Sequence, residues 1–237
     1  MNILLYSGIL SFIVQIFTGI FDIYVLTFEH DELFYIVREL LKIELYVQVI
    51  EGIFYFWMLS NFSNIKNITP NRYYDWVITT PTMLFTYCIY LLHLQKNGKD
   101  GNTINNINNR AKNNSNKESI LEIIEKNTPT LVPIFILNTL MLFFGYLVEM
   151  GRLSMNVGVS LGFVPFFMMF YIIYENYAKF TDIGIQTFYY FSSVWFLYGI
   201  AALMDYQTKN IAYNVLDLFS KNFFGIFLAY VLYKHRL

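Results

Sequence analysis

Seven apolar stretches, each about as long as a bilayer is thick, constrain the fold of this chain more than any other feature. Hydropathy places them at residues 3–28, 34–62, 73–94, 131–150, 156–177, 182–204 and 210–233. An earlier start of the fourth stretch, at the amphipathic segment Ser119–Lys126, stays open. A helix crosses a bilayer with about 20 apolar residues, since it rises about 1.5 Å per residue. Only 14% of the 237 residues are charged, against about a quarter in soluble domains. The sequence therefore predicts an all-α, multi-pass integral membrane protein with seven transmembrane helices.

Composition excludes several other classes of protein. The formal net charge is −1, which gives no reason to expect a nucleic-acid partner. Cys88 is the single cysteine, so an internal disulfide is excluded. The sequence contains no zinc-type or phosphate-loop motif, and we expect a protein that is not an enzyme. The first stretch lacks a basic start and a small-residue cleavage site, so we expect it to be retained as a helix.

The distribution of basic residues predicts the orientation in the membrane. Between the third and fourth stretches, and in the C-terminal tail, lie Lys96, Lys99, Arg110, Lys112, Lys117, Lys126, Lys234 and Arg236. The connections on the opposite side hold only Lys66, Arg72, Arg152 and Lys209. The positive-inside rule then puts the N-terminus outside and the C-terminus in the cytoplasm. We expect residues 1–237 to form a single seven-helix domain with a mobile, asparagine-rich cytoplasmic loop at 96–117.

Lys221 lies near the middle of the seventh stretch, where an ammonium group is costly unless it is paired or chemically used. Asp217 precedes it by one helical turn and shares its face. A buried lysine is also the residue type that forms Schiff bases with carbonyl compounds. This stretch alone leaves two interpretations open, a Schiff base to a carbonyl cofactor and a structural ion pair between helices.

The start of the third stretch supplies a second intramembrane carboxylate. Residues 72–81 read RYYDWVITTP, and helical spacing puts Arg72, Asp75 and Thr79 on one face. An aspartate inside a membrane helix requires a cation, and Lys221 is the lysine at mid-membrane depth. We therefore expect Asp75 and Asp217 to face Lys221. With Arg72 as a second cation, the two positive and two negative charges would nearly balance.

These two motifs together resemble the microbial (type I) rhodopsins. The pattern is Arg-Tyr-x-Asp-Trp-x-x-Thr-Thr-Pro on the third stretch with Asp-x-x-x-Lys on the seventh. The resemblance implies a bacteriorhodopsin-like bundle with retinal as cofactor, bound covalently as a Schiff base to Lys221. It also implies that Asp75 accepts the Schiff-base proton and that Asp217 completes the counterion.

The same resemblance implies roles for further side chains. The residues assigned to the retinal pocket are Lys221, Trp76, Thr80, Trp195, Tyr198, Asn138 and Met141, and those beside the counterions are Arg72, Thr79 and Tyr55. The chain departs from the family where Gly199 replaces a proline. Its fifth stretch lacks a tryptophan facing the ring, so Gly162, Pro165 or Phe166 would form that wall. The alternative for the aromatic residues is ordinary core packing.

Carboxylates on the second stretch point to ion transport. Glu44 and Glu51 are two turns apart on one face, with Gln48 between them, and such rows usually line water or an ion path. The alternative is structural hydrogen bonding to neighbouring helices. Ser11, Glu51 and Asn222 resemble the central gate of channelrhodopsins, closest to the cation-channel group of viral rhodopsins. That resemblance implies a light-gated channel for monovalent cations or protons in a host-cell membrane, with calcium sensitivity, and an oligomer is possible.

Two other functions stay open at this point. Outward proton pumps of the family carry a second carboxylate on the third helix, where this chain has Thr86, a poor proton donor. A pump would need another donor, which makes it the first alternative to a channel. A photosensory rhodopsin with a separate transducer is the second.

Overall fold

A computed structural model of the protein describes residues 2–97 and 120–236. Seven long helices make up this part of the chain. They are α1 (Ile3–Leu26), α2 (Tyr35–Ser60), α3 (Thr69–Asn97), α4 (Ile120–Glu149), α5 (Met155–Ala178), α6 (Asp182–Ala202) and α7 (Tyr206–Lys234). A 3₁₀ turn, Glu32–Phe34, precedes α2. Across these described ranges there is no β-strand, and an isolated bridge joins His30 to Arg236.

Each helix corresponds to one of the seven predicted stretches. The largest difference is in α4, which begins at Ile120 rather than near residue 131 and runs through Pro129 and Pro133. Helix α3 likewise continues through Pro81. Membrane helices tolerate proline where neighbouring helices and hydroxyl side chains satisfy the freed backbone groups.

Five of the seven helices are long and apolar enough to cross a membrane by length and composition. Helices α2 and α6 are not among the five. Five charged residues lie in α2, and α6 contains three tyrosines, two serines and one tryptophan, which lower the mean hydropathy. Both pack with the other five in one bundle, whose outward surface exposes large apolar residues such as Phe17, Phe56 and Tyr171 to the lipid.

Two basic residues that hydropathy predicts in connections lie inside helices. Arg72 belongs to α3 and is fully buried, and Lys209 belongs to α7 and is 5% exposed. They therefore carry no weight in the positive-inside comparison, since each has a partner within the bundle. The orientation stays a prediction. Beyond Asn97, the loop predicted at 96–117 lies outside the described residues.

The helices form a closed ring in chain order. Each helix packs against the next, and α7 completes the ring by packing against α1, α2 and α6. The start of α1 lies at what we call the amino end of the bundle, with the starts of α3, α5 and α7. At the opposite, carboxyl end, Phe28 contacts Tyr233 with ring centroids 6.1 Å apart. Because α7 closes the ring, its inward side chains reach both α1–α2 and α3–α6.

Candidate functional site

Lys221 lies in a π-helical turn of α7, Leu218–Asn222, and is 2% exposed. Such turns place one extra residue in a helix and are frequent at functional sites. Lys221 Nζ donates a hydrogen bond to Asp75 Oδ2. The same nitrogen lies 3.7 Å from Glu51 Oε1 and 3.9 Å from Asp217 Oδ1. Three buried carboxylates thus surround one amine, whereas the sequence predicts two, Asp75 and Asp217.

The Asp217 carboxylate is held by three donors from three helices. Tyr55 Oη donates to Oδ2 at 2.7 Å and Tyr198 Oη donates to Oδ1 at 2.7 Å. Arg72 Nη1 approaches Oδ2 at 3.3 Å. Charge-assisted bonds of this kind fix an acidic side chain in one orientation. Tyr55 and Arg72 therefore lie against the carboxylate, as the family resemblance implies.

Arg72 is held in turn by amide side chains of α7. Its Nε donates to Asn210 Oδ1 at 3.1 Å, and its Nη2 donates to Asn214 Oδ1. Two cations, Arg72 and Lys221, face three carboxylates in this buried cluster. A desolvated cluster is costly unless its charges balance, so one further proton or cation is needed here.

The two threonines of the third-helix motif differ in what they contact. Thr79 Oγ1 donates to the backbone oxygen of Asp75 at 3.0 Å and makes no hydrogen bond to the carboxylate. Thr80 Oγ1 donates to the Trp76 carbonyl at 2.8 Å and accepts from Asn138 Nδ2 at 2.8 Å. Thr80 and Asn138 therefore tie α3 to α4 beside the cluster.

An apolar cavity begins at Lys221 and extends between α3, α4, α5, α6 and α7. Six of the seven residues assigned to a retinal pocket line it: Trp76, Thr80, Met141, Trp195, Tyr198 and Lys221. The seventh, Asn138, lies behind Thr80. Gly162 and Phe166 line the fifth-helix wall, whereas Pro165 is not among the lining residues. Gly199 also lines the cavity, and a methyl group there would collide with the ring of Phe163.

On the other side of Lys221, buried polar residues follow the interface of α1, α2 and α7. We call this set the polar track. It consists of Ser11, Gln15, Thr18, Asp22, Glu44, Gln48, Glu51, Asn214 and Asn222. Lys221 therefore lies between the apolar cavity and the polar track, and Glu51 joins the two.

The proposed gate residues belong to the polar track but do not hydrogen-bond to one another. Ser11 Oγ donates to the Asn214 carbonyl at 2.5 Å. Asn222 Oδ1 accepts from Thr18 Oγ1 at 2.9 Å. Glu51 instead faces Lys221. The trio is thus spread along α1, α2 and α7, with each member held by a different partner.

Farther toward the carboxyl end, Gln48 Nε2 donates to Asp22 Oδ2 at 2.5 Å. Glu44 Oε1 accepts a hydrogen bond from Thr86 Oγ1, so Glu44 reaches α3. Sequence reasoning named Glu44 and Gln48 but missed Gln15, Thr18 and Asp22. The signal was available, because Ser11, Gln15, Thr18 and Asp22 follow the four-three-four spacing of one helix face.

Seven helices form a closed ring around a buried lysine and its carboxylates. This arrangement indicates an integral membrane protein whose functional site is built around Lys221 of α7. The family model described as bacteriorhodopsin-like protein matches residues 3–235. This chain therefore belongs to the bacteriorhodopsin-like, or type I rhodopsin, family. The comparison with curated proteins found no match.

Solved structures share the fold over nearly the whole chain. The viral rhodopsin OLPVRII is 27% identical, with a TM-score of 0.77 and 98% of each chain covered. A blue light-absorbing proteorhodopsin from Med12 is 17% identical, with a TM-score of 0.71 and coverage of 98% and 97%. The light-driven proton pump CsR of Coccomyxa subellipsoidea is 18% identical, with a TM-score of 0.67 and 97% of each chain covered. The proteorhodopsin and the proton pump are only 17% and 18% identical to this chain, so they support its fold but say nothing about its function.

Proteins of this family bind retinal through a Schiff base to a lysine, and retinal is the cofactor of this chain. The observed cavity fits that molecule. Its walls are aromatic and aliphatic, as an apolar polyene requires, and a lysine amine lies at one end. Lys221 is the lysine in that position, with Trp76 and Trp195 lining the cavity.

Proposed function

We propose that this protein is a photoreceptor that acts as a light-gated cation channel, with retinal bound to Lys221. The observation that carries the proposal is the position of Lys221 between the apolar cavity and the polar track. Lys221 Nζ lies 3.7 Å from Glu51 Oε1, so a change at the lysine acts directly on a residue of the track. Channels select cations where carboxylates line the path, and the track holds three.

Bound retinal supplies the light-driven change of shape and charge at the lysine. Asp75 Oδ2, which accepts a hydrogen bond from Lys221 Nζ, is the group placed to take the Nζ proton. The carboxylates of Glu51 and Asp217 then lose the positive charge that they face. Without it, their mutual repulsion favours a second arrangement in which Glu51 turns away from α7.

Movement of Glu51 opens the track beside Lys221 in this mechanism. Thr18 and Asn222, joined at 2.9 Å, and Ser11 with Asn214, joined at 2.5 Å, hold α1 to α7 on either side. Water that enters between α1, α2 and α7 replaces these bonds. Monovalent cations or protons then flow down their gradient. We further propose that the N-terminus faces outward and that the membrane is that of a host cell.

Voltage clamp tests this function. A light-triggered current that reverses near the cation equilibrium potential is expected. Glu51→Ala and Asn222→Ala should each change current size or selectivity, because they remove two of the three gate residues. Matched controls are Glu39→Ala, whose carboxylate pairs with Lys42 at 2.6 Å, and Asn176→Ala, which is exposed. Unchanged currents in both gate variants would contradict the gate.

A light-driven outward proton pump is the second candidate, and the contact of Glu44 with Thr86 favours it. In pumps of the family a carboxylate at the position of Thr86 returns a proton to the lysine. Here Glu44 brings a carboxylate from α2 to that place. A current that stays outward at every voltage, with recovery slowed at least about a hundredfold in Glu44→Gln, would establish the pump. No current from a pigment that still absorbs visible light would favour a photosensor with a separate transducer.

A further inference from the structure

Asp22 is a fully buried acidic residue that neither the lysine site nor the proposed gate uses. Its Oδ2 accepts a hydrogen bond from Gln48 Nε2 at 2.5 Å, and its Oδ1 has no partner. Within the described part of the chain, Asp22 forms no ion pair. An ionised carboxylate buried in a membrane helix without a cation is costly, so Asp22 either holds a proton or meets a cation outside this set of contacts.

Two further buried oxygens near Asp22 also lack a donor. Gln48 is 4% exposed and its Oε1 has no partner. Glu44 is fully buried, and its Oε2 has none either. Glu44 and Gln48 are one turn apart on α2, so both face the side on which Gln48 meets Asp22. Buried acceptors are almost always satisfied, so three together indicate a missing positive or hydrogen-donating species.

Two glycines shape the space around Gln48. A Cβ at Gly225 of α7 would lie 2.7 Å from Gln48 Nε2 and 2.9 Å from Asp22 Oδ2. A Cβ at Gly19 of α1 would lie 3.1 Å from Gln48 Oε1. Any larger residue at Gly225 would displace the Asp22–Gln48 pair. Because Gly19 and Gly225 have no side chains, the Gln48 amide has room between α1 and α7.

We propose that Asp22, Glu44 and Gln48 form a binding site for one dehydrated monovalent cation inside the polar track. Two carboxylates and an amide oxygen supply the hard oxygen ligands that such an ion takes. The described residues contain no group of three or more acidic, histidine or cysteine side chains that would suit a multivalent metal. The site deepens the proposed channel function and rests on it, because the ion would be one in transit.

Infrared spectroscopy of the protein in the dark tests the site without any need for conduction. The pigment is exchanged between sodium chloride and N-methylglucamine chloride, and sodium should reversibly change the carboxylate bands. In Asp22→Asn this change should vanish, or need at least about tenfold more sodium, because a charged ligand becomes neutral. Glu39→Gln, which removes an acid from an exposed ion pair on α2, should keep the change.

Visible absorption shows whether each variant has folded around retinal. If Asp22→Asn fails this check, Gly19→Ala is the second variant. Its new methyl group presses on Gln48 Oε1 and should also raise the sodium concentration that half-saturates the infrared change. No sodium-dependent change in the wild type, or an unchanged response in these variants, would overturn the site.

Voltage-clamp recordings then test the proposed cation site and the proposed channel function independently of each other. A sodium response in the dark without any passive photocurrent would keep the cation site and reject the channel. A passive photocurrent without a sodium response would keep the channel and reject the site. If both hold, Asp22→Asn should alter the ratio of sodium to potassium permeability, since it removes a ligand from the conducting path.

Discussion

Glu51 Oε1 lies 3.7 Å from Lys221 Nζ, so one glutamate serves both the lysine cluster and the polar track. Asp75 and Asp217 face the lysine from α3 and α7, and Glu51 faces it from α2. Glu51 alone of these three carboxylates belongs to the polar track as well. This relationship gives the light-absorbing part of the molecule a short electrostatic connection to the proposed ion path.

Glu51→Gln should therefore shift the visible absorption to longer wavelength as well as alter the photocurrent. A negative charge near Nζ stabilises the ground state, in which the positive charge lies at the nitrogen, more than the excited state. Two unit charges at about 4 Å interact by about 4 kcal/mol at an effective dielectric constant of 20, which sets the order of magnitude of the change in transition energy. Absorption spectra of purified pigments measure it.

Glu44→Gln is the matched control for that shift. Glu44 is also a buried glutamate of α2, but it contacts Thr86 rather than Lys221. The absorption maximum of the Glu44→Gln pigment should stay close to that of the wild type. An equal shift in both variants would show that helix α2 as a whole, and not the 3.7 Å contact, tunes the pigment.

Removal of the Arg72 charge should destabilise the protein by about 3–5 kcal/mol, the usual cost of stripping a buried ion pair of one partner. Arg72→Gln takes away the guanidinium 3.3 Å from the Asp217 carboxylate, which keeps only the more distant Lys221 Nζ, 3.9 Å away, as a cation. The double variant Arg72→Gln/Asp217→Asn should recover part of the loss, because the two groups interact directly. Thermal unfolding in detergent measures this. Strictly additive losses would contradict a direct pair.

The seven helices and the centre of the site could be predicted from the sequence because they depend on hydropathy and local spacing, and the family could be predicted because two motifs resemble it. The Asp-x-x-x-Lys turn and the third-helix motif each fall on one helix face, so Asp75, Asp217 and Lys221 could be expected to meet. Hydropathy failed at helix ends. Arg72 and Lys209 lowered the apolar average and were placed in connections, although buried partners keep both inside helices.

Contacts between helices could not be predicted from the spacing of residues along the sequence. The pattern on α2 put Glu44 and Glu51 on one face, but only packing decides that Glu51 meets Lys221 and Glu44 meets Thr86. Asp22 was missed because a single acidic residue barely lowers the mean hydropathy of a helix as apolar as α1. The roles of these residues in gating and retinal binding remain predictions.

Lys221→Ala should give a colourless protein, since it removes the amine that we assign to retinal. Lys209→Ala is the matched control because it also removes a buried lysine of α7. Lys209 Nζ pairs with Glu149 Oε1 at 2.5 Å, and neither residue is among those that line the cavity. That variant should be less stable but still coloured. Visible spectra after reconstitution with retinal decide, and colour in Lys221→Ala would refute the assignment.

Gly199→Ala and Gly162→Ala should differ although both glycines line the cavity. A methyl group at Gly199 would collide with the Phe163 ring, whereas the nearest atom to one at Gly162 is the Met141 carbonyl oxygen at 3.7 Å. Overpacking costs about 1–3 kcal/mol, so Gly199→Ala should lower thermal stability and alter the absorption spectrum. Gly162→Ala should fold as well as the wild type, since alanine restricts the unfolded chain more than glycine. Thermal bleaching of the two pigments, followed side by side, measures the difference. Equal bleaching temperatures would mean that Phe163 moves aside freely and does not hold the α5–α6 wall of the cavity.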